Sequence, residues 1–226
     1  MRLGVLFSGG KDSAFACWKA MQKEEVVCLI TIVSRNPESY MFHTPNIRLA
    51  ALQAESAGLP LLEIETEGEE ETELLDLRRA LLSARERFGI EGVVTGAILS
   101  VYQATRLQRV CYELGLWCFN PLWLADQEGY MEELLDAGFR VVITGVFASP
   151  FDESWLGREI DRRTLDELRA VARKDRITLT GEGGEFETFV IDAPFFSRRI
   201  VIEEGSRVYR NHNGVLRIER ARLVGR

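Results

Sequence analysis

Ser8-Gly9-Gly10-Lys11-Asp12-Ser13 is the stretch on which the reading of this chain turns. An apolar run, Leu3-Gly4-Val5-Leu6-Phe7, precedes it, and a helix-like run, Ala14-Phe15-Ala16-Cys17-Trp18, follows. A strand that enters a glycine-rich turn and leaves as a helix aims backbone N–H groups and the positive end of a helix dipole at one spot, which makes an anion site. Gly9 and Gly10 permit positive φ and let the backbone approach phosphate oxygens closely. Lys11 adds a mobile charge, and the hydroxyls of Ser8 and Ser13 can donate. Asp12 is repelled by phosphate unless a cation lies between them, so it is read as a Mg²⁺ ligand or a holder of water.

The Walker A loop, G-x-x-x-x-G-K-[ST], fails here at two positions. Aligned on Gly10-Lys11, Val5 stands where the first glycine belongs and Asp12 where Ser or Thr belongs. What remains resembles the PP-loop of the ATP pyrophosphatases, which grip the β- and γ-phosphates, cut ATP between α and β, and hand AMP to an acceptor.

Downstream, residues 26–33 form a continuous apolar, β-branched run, as a parallel strand covered on both faces requires. The loop at 35–43 is too long and too aromatic for a simple connector. Thr44 is read as an N-cap, with Pro45 at N1 of a helix that runs to about Gly58. A third strand follows at 61–65. The acidic stretch 67–73 opens a helix ending near Gly89, its carboxylates complementing the dipole rather than binding metal. Residues 92–96 are a fourth strand, 100–114 a helix stopped by Gly115, and 116–119 a short strand.

Such alternation predicts βαβ units and a doubly wound parallel sheet, Rossmann-like in class, whose ligands sit beyond the carboxyl ends of the strands. The loop at 8–13, the end of the second strand at Val33, and the Gly96-Ala97 turn all fall on that edge and are expected to meet one nucleotide. Tyr102, Gln103 and Arg106 open the next helix; Tyr102 and Arg106 are four apart and share a face. Arg106 can bridge phosphate oxygens or serve as a surface salt-bridge partner.

From about residue 124 the pattern loosens, so the chain is divided into 1–124 and 125–226, the second part a smaller α+β domain. Residues 126–137 read as a helix closed by Gly138, 139–147 as a strand, 161–175 as a charged amphipathic helix, and 187–191 and 199–203 as strands. A hairpin with arms at 207–210 and 215–218 flanks Asn211-His212-Asn213-Gly214, where Asn213-Gly214 is the turn signal. Two stretches here carry chemistry. Gly181-Glu182-Gly183-Gly184-Glu185-Phe186-Glu187-Thr188 sets three carboxylates around a glycine pair, and those of Glu185 and Glu187 share one face of an extended chain. That pair suits a cation, either Mg²⁺ or an attacking amine; a surface turn with solvated acids is the plainer reading. In residues 149–158, Trp155 needs covering by the other domain or by a ligand.

The bulk numbers exclude several classes. Lys plus Arg total 28 against 35 for Asp plus Glu, a net charge of −7, which disfavours broad nucleic-acid binding while leaving a local basic groove open. Cys17, Cys28, Cys111 and Cys118 contain no C-x-x-C pair, and His43 and His212 are the only histidines, so buried thiols in a reducing compartment are expected rather than zinc or disulfides. No apolar run approaches the roughly 18 residues of a bilayer span and no signal peptide opens the chain, so no membrane association and a cytoplasmic location are expected.

Taken together, the PP-loop, Met41-Phe42-His43-Thr44, the run from Gly96 through Arg106 with Cys111 and Leu114-Gly115-Leu116, residues 152–158, and the acidic-glycine stretch resemble the diphthine ammonia ligase family. These N-type ATP pyrophosphatases complete diphthamide on translation elongation factor 2, and the resemblance covers essentially the whole chain. It implies a two-step ligation. ATP with Mg²⁺ adenylates the carboxylate of diphthine, pyrophosphate leaves, and ammonia attacks the acyl-adenylate to give the amide and AMP. Lys11, the glycine amides and Mg²⁺ would stabilise charge growing on pyrophosphate.

Diphthine carries a trimethylammonium group, which aromatic faces and carboxylates hold best. The resemblance therefore implies an acceptor and ammonia pocket of Glu182, Glu185, Phe186, Glu187 and Trp155, with Tyr102 and Gln103, across a cleft from Lys11. Lys11, Asp12, Glu185 and Glu187 are the expected catalytic set. Ending near residue 226, the chain is expected to lack the extra C-terminal domains of eukaryotic members and any glutaminase domain, so free ammonium is the expected nitrogen donor. A homodimer is left open. The alternatives are a PP-loop enzyme acting on another carboxylate or on a tRNA base, and a non-catalytic adenine-nucleotide sensor.

Overall fold

A strand whose residues are apolar at every position must be covered on both faces, and only a sheet layered between helices does that. In the computed structural model, which describes residues 1–35, 46–67 and 70–226 and the side chains of all of these but 70–72, β1 (Arg2–Leu6) and β2 (Glu25–Ser34) are such strands apart from their polar ends and the buried Thr31. With β3 (Leu61–Thr66), β4 (Gly92–Val94) and β5 (Trp117–Phe119) they form a parallel five-stranded sheet of order β3-β2-β1-β4-β5. Met41-Phe42-His43-Thr44, the expected helix start at Thr44-Pro45, and residues 68–69 of the acidic stretch lie outside the described residues.

Between the strands run α1 (Lys11–Met21), α2 (Ala50–Ala57), α3 (Glu70–Phe88) and α4 (Val101–Glu113). A short 3₁₀ turn, Ile47–Leu49, leads into α2. Leu3, Val5, Leu29, Leu81 and Ile98 are fully buried, each worth about 1.5–3 kcal/mol for leaving water. Ser100 caps α4 by accepting from the Gln103 amide, and Gly115 takes φ 65° just past its end, as the sequence predicts. The chain winds outward from β1 to β3 and then returns to β4 on the other side of β1. That reversal puts the switch point of the sheet between β1 and β4, where Ser8 and Gly96 follow the two strands.

The second half builds α5 (Gln127–Asp136), β6 (Arg140–Val146), α6 (Arg162–Asp175), β7 (Phe186–Asp192), β8 (Arg199–Arg210) and β9 (Asn213–Val224). Its antiparallel sheet has the order β7-β6-β9-β8. Both helices start where an aspartate can cap: Asp126 accepts from Gly129 N at 2.8 Å and Asp161 from Thr164 N at 2.7 Å.

One expectation needs correcting. The hairpin turn is Asn211-His212, both at positive φ (49° and 59°), and Asn213-Gly214 already belongs to β9. A two-residue loop with both residues left-handed matches the strand twist. Gly214 instead serves packing: a Cβ there would stand 2.6 Å from Tyr209 Cδ2 and 3.1 Å from Leu156 Cδ1.

The chain divides into two compact units, residues 1–8 with 12–124, and residues 9–11 with 125–226. Three residues of the PP-loop thus group with the second half of the chain.

Candidate functional site

In the first unit the ends of the PP-loop hold each other. Ser8 N donates to Ser13 Oγ at 3.2 Å, and the two hydroxyls lie 3.2 Å apart. Asp12 stands in the first turn of α1, where a carboxylate complements the dipole. Gly96, from the turn after β4, fits directly against this start: a Cβ would fall 2.6 Å from the Asp12 carbonyl carbon and 2.7 Å from Ser13 N. No side chain fits there. Gly96→Ala should therefore displace the start of α1, costing about 1–3 kcal/mol of stability; a melting curve with and without ATP should show a lower Tm and a smaller nucleotide-induced rise.

Val33 is buried near the end of β2, and Ala97 is buried with its amide donating to Thr95 Oγ1 at 3.2 Å. On α4 the guanidinium carbon of Arg106 lies 3.4 Å from the centroid of the Tyr102 ring, one turn away, so the predicted shared face is a stacked pair. Gln103 gives its amide to the Ser100 cap at 3.3 Å.

In the second unit, residues 9–11 dock along β7. Val190 N donates to the Gly9 carbonyl at 3.0 Å, and Lys11 N to Thr188 Oγ1 at 3.1 Å. Gly9 makes the turn at φ 80°. The Lys11 amine donates to the Thr180 carbonyl and lies over the rings of Phe186 (5.5 Å) and Tyr130 (6.0 Å). At 2% exposure Lys11 is enclosed rather than mobile. Thr180, Thr188 and Tyr130 are absent from the sequence-based set. Thr188 had a signal, since strand parity puts it on the same face as Phe186; the roles of Thr180 and Tyr130 depend on contacts far apart in the chain.

The same parity corrects the expected pocket. Phe186 and Thr188 face the docked segment, so Glu187 points to the opposite face of β7 from Lys11. Glu185 is spent on its own loop: Thr178 N donates to its Oε1 at 2.6 Å and Thr178 Oγ1 to its Oε2 at 2.8 Å, while Gly183 N donates to Thr178 Oγ1 at 3.2 Å. The acidic-glycine stretch is therefore a closed loop clasped by Glu185, with Glu182 half-buried on it. Glu187 differs from both. Its Oε2 is buried with no hydrogen-bond partner among the described residues, and burial pushes its carboxyl up to about 8.

Trp155 is also corrected: its own unit covers it. It is 8% exposed, set edge-on to Phe151 at 5.1 Å, with the Arg158 guanidinium 4.4 Å from its ring centroid. Phe151 in turn packs on Phe186 at 5.7 Å.

Among the described residues no group of three or more His, Cys, Asp or Glu could hold a metal ion. A single carboxylate at Asp12 still fits Mg²⁺, which keeps waters and phosphate oxygens as most of its ligands. All four cysteines are free, and burial pushes the Cys17 and Cys28 thiols up to about 12, which leaves them inert. Among the described residues no helix is long and apolar enough to cross a membrane.

The family model for the diphthamide synthase N-terminal domain matches residues 1–118, and that for the C-terminal domain matches residues 126–224. A diphthine–ammonia ligase of Bos taurus is 32% identical over 226 residues, covering 90% of this chain and 83% of its own length. That of Homo sapiens is likewise 32% identical over 226 residues with the same coverage. The Schizosaccharomyces pombe protein of that name is 32% identical over 90% of this chain, which spans 36% of that longer relative. A solved structure described as a predicted subunit of tRNA methyltransferase from Methanocaldococcus jannaschii superposes on 85% of this chain and 98% of its own with a TM-score of 0.48 at 17% identity, too low a likeness to argue from. With both family models matched, one to each half and together spanning nearly its full length, the chain belongs to the diphthamide synthase family.

Proposed function

We propose that this chain is an ATP-dependent amide ligase that adenylates the carboxylate of diphthine on elongation factor 2 and aminates it with ammonium, in the cytoplasm, releasing AMP and pyrophosphate. The observation that carries this reading is the docking of Gly9–Lys11 on β7, which makes the PP-loop lysine and the strand following the acidic-glycine loop one constellation. Family membership supplies the substrate class.

In the first step a carboxylate oxygen attacks the α-phosphorus and the bond to the bridging oxygen breaks. Negative charge grows on the departing pyrophosphate, and donors fixed in advance stabilise it most. The amides of Gly9 and Gly10, the hydroxyls of Ser8 and Ser13, and the Lys11 amine are those donors. The bond from Lys11 to the Thr180 carbonyl uses one of the three N–H groups of its ammonium. Mg²⁺ held at Asp12 would neutralise phosphate charge when bound. Val33, Gly96, Ala97 and Arg106, whose guanidinium stacks on Tyr102, are the nucleotide contacts proposed for the first unit.

In the second step nitrogen attacks the acyl carbon and AMP leaves. Ammonium must first lose a proton. We assign that role to Glu187: on the face of β7 away from Lys11 its ionised form takes the proton from ammonium and neutral ammonia goes on to the acyl carbon, and a value raised to about 8 keeps that transfer near neutral pH. Glu185 acts as a positioning residue, fixing the loop from which Glu182 and Phe186 meet the acceptor. Trp155, already covered, supports Phe186 through Phe151.

The test incubates the protein with ATP, Mg²⁺, ammonium and diphthine-bearing elongation factor 2, following AMP, pyrophosphate and the mass of the modified peptide. AMP and pyrophosphate should appear in step with amidation. ADP as product excludes the chemistry, and AMP without amidation removes diphthine as the acceptor.

A further inference from the structure

The second sheet contains a cavity that the ligation does not use. At its far end β6 pairs with β9 only at Gly145↔Val215 and Val146↔Gly214. Its earlier residues bond instead to the segment after Trp155: Gly157 N to Ile143 O at 2.9 Å, Ile143 N to Arg158 O at 2.9 Å, and Ile160 N to Val141 O at 2.8 Å. That segment wedges β6 apart from the long β8–β9 ribbon. The gap left behind is an open cavity of about 490 Å³ lined by Val142, Gly157, Ile202, Gly205, Arg207 and Leu216. This volume falls within the usual range for small-molecule sites.

Three walls are aliphatic and two are glycine, so a single side chain sets the charge. The Arg207 guanidinium lies over Gly157, with Nη2 3.1 Å from where a Cβ would be. Among the described residues the Arg207 guanidinium has no hydrogen bond or ion pair. Arg140 pairs with Glu159, Arg222 with Glu203 and, just beyond β9, Arg226 with Asp192, at 2.5–2.7 Å, while Arg199 and Arg210 of β8, which also lack an ion pair among the described residues, do not line the cavity. Arg217 lies opposite Ser206 and so points to the other face of the ribbon. A guanidinium presents a planar fork of donors that matches a carboxylate, and one without a counter-ion beside an apolar hollow selects an anion with an apolar body.

The geometry points to a binding site for a small organic carboxylate in this cavity, its carboxylate on Arg207 and its apolar body against Val142, Ile202 and Leu216. A free phosphate has no apolar body to place there and should bind less well.

Benzoate, benzamide and inorganic phosphate serve as probes, titrated into the full chain and followed by amide NMR at Gly157 and Gly205. Benzoate should shift both signals saturably with a Kd of about 1 mM or tighter, and benzamide and phosphate should each bind at least about tenfold more weakly. Arg207→Gln should weaken benzoate at least about tenfold, with Arg207→Lys between the two. Ile202→Phe, which keeps the charge and fills the hollow, should also weaken it. An unchanged melting temperature confirms that each variant is folded, since Arg207 holds no partner whose loss would unfold it. Benzamide binding as well as benzoate, or unaltered benzoate binding by Arg207→Gln or Ile202→Phe, overturns the assignment.

Discussion

Lys11→Met is expected to lower kcat/KM for acceptor-dependent AMP formation by about 10²- to 10³-fold, the range seen when one preorganised donor is removed from a site of developing charge. Methionine keeps an unbranched apolar stem, so what is deleted is the amine, with its place over the Phe186 and Tyr130 rings. That amine also holds the Thr180 carbonyl, and an acceptor left buried without its donor costs about 1–3 kcal/mol. Two effects are thus predicted from one atom, and they separate experimentally. Thermal melting reads the structural part, and single-turnover rates at saturating ATP read the chemical part. Should the rate per folded molecule match wild type, Lys11 would be only a structural tie between the loop and β7, and the proposed mechanism would lose its main electrostatic element.

The contrast between what could and could not be read in advance follows the range of the interactions involved. Helix ends were legible because their signals are local: Ser100, Asp126 and Asp161 cap within three residues of themselves, and Gly115 ends α4 within one turn. The PP-loop was legible for the same reason. The hairpin turn is not legible, because Asn213-Gly214 has two explanations in sequence, turn or close packing, and only the Tyr209 and Leu156 side chains decide for packing. The sequence predicts a nucleotide contact at Gly96, and the structure also gives it a steric duty against Asp12 and Ser13, more than eighty residues upstream. The partners of Lys11 were illegible because Thr180 and Thr188 lie about 170 residues away. For the carboxylates, alternation puts Glu185 and Glu187 on one face, but Glu185 precedes β7 and turns back to Thr178, and without a reference face the pattern does not say that Glu187 turns away from the lysine.

Glu187→Gln should make the protein more stable and less active at once, and the pH dependence identifies why. The ordinary glutamate value is 4.5, and burial without a hydrogen-bond partner raises the folded value to about 8. Between those two pH values the folded chain holds a proton that the unfolded chain has released, so this group makes stability fall as pH rises from about 4.5 to about 8, with the full penalty present above that. At 1.36 kcal/mol per pH unit the penalty is at most about 5 kcal/mol, and relaxation around the carboxylate brings the expected gain from Gln to roughly 2–3 kcal/mol at pH 8.5. Below about pH 4.5 the two proteins should be equally stable, since the neutral acid and the amide are near-isosteric. The same substitution removes the group proposed to take the ammonium proton, so amidation should fall by about 10²-fold or more while ATP affinity is retained. Urea melts from pH 4 to 9, run beside ammonium-dependent rates, check both. A stability difference flat in pH would mean that Glu187 is solvated, and wild-type amidation by the variant would mean that the proton goes elsewhere. A side chain whose removal stabilises the fold and stops the reaction is one retained for function against its own structural cost.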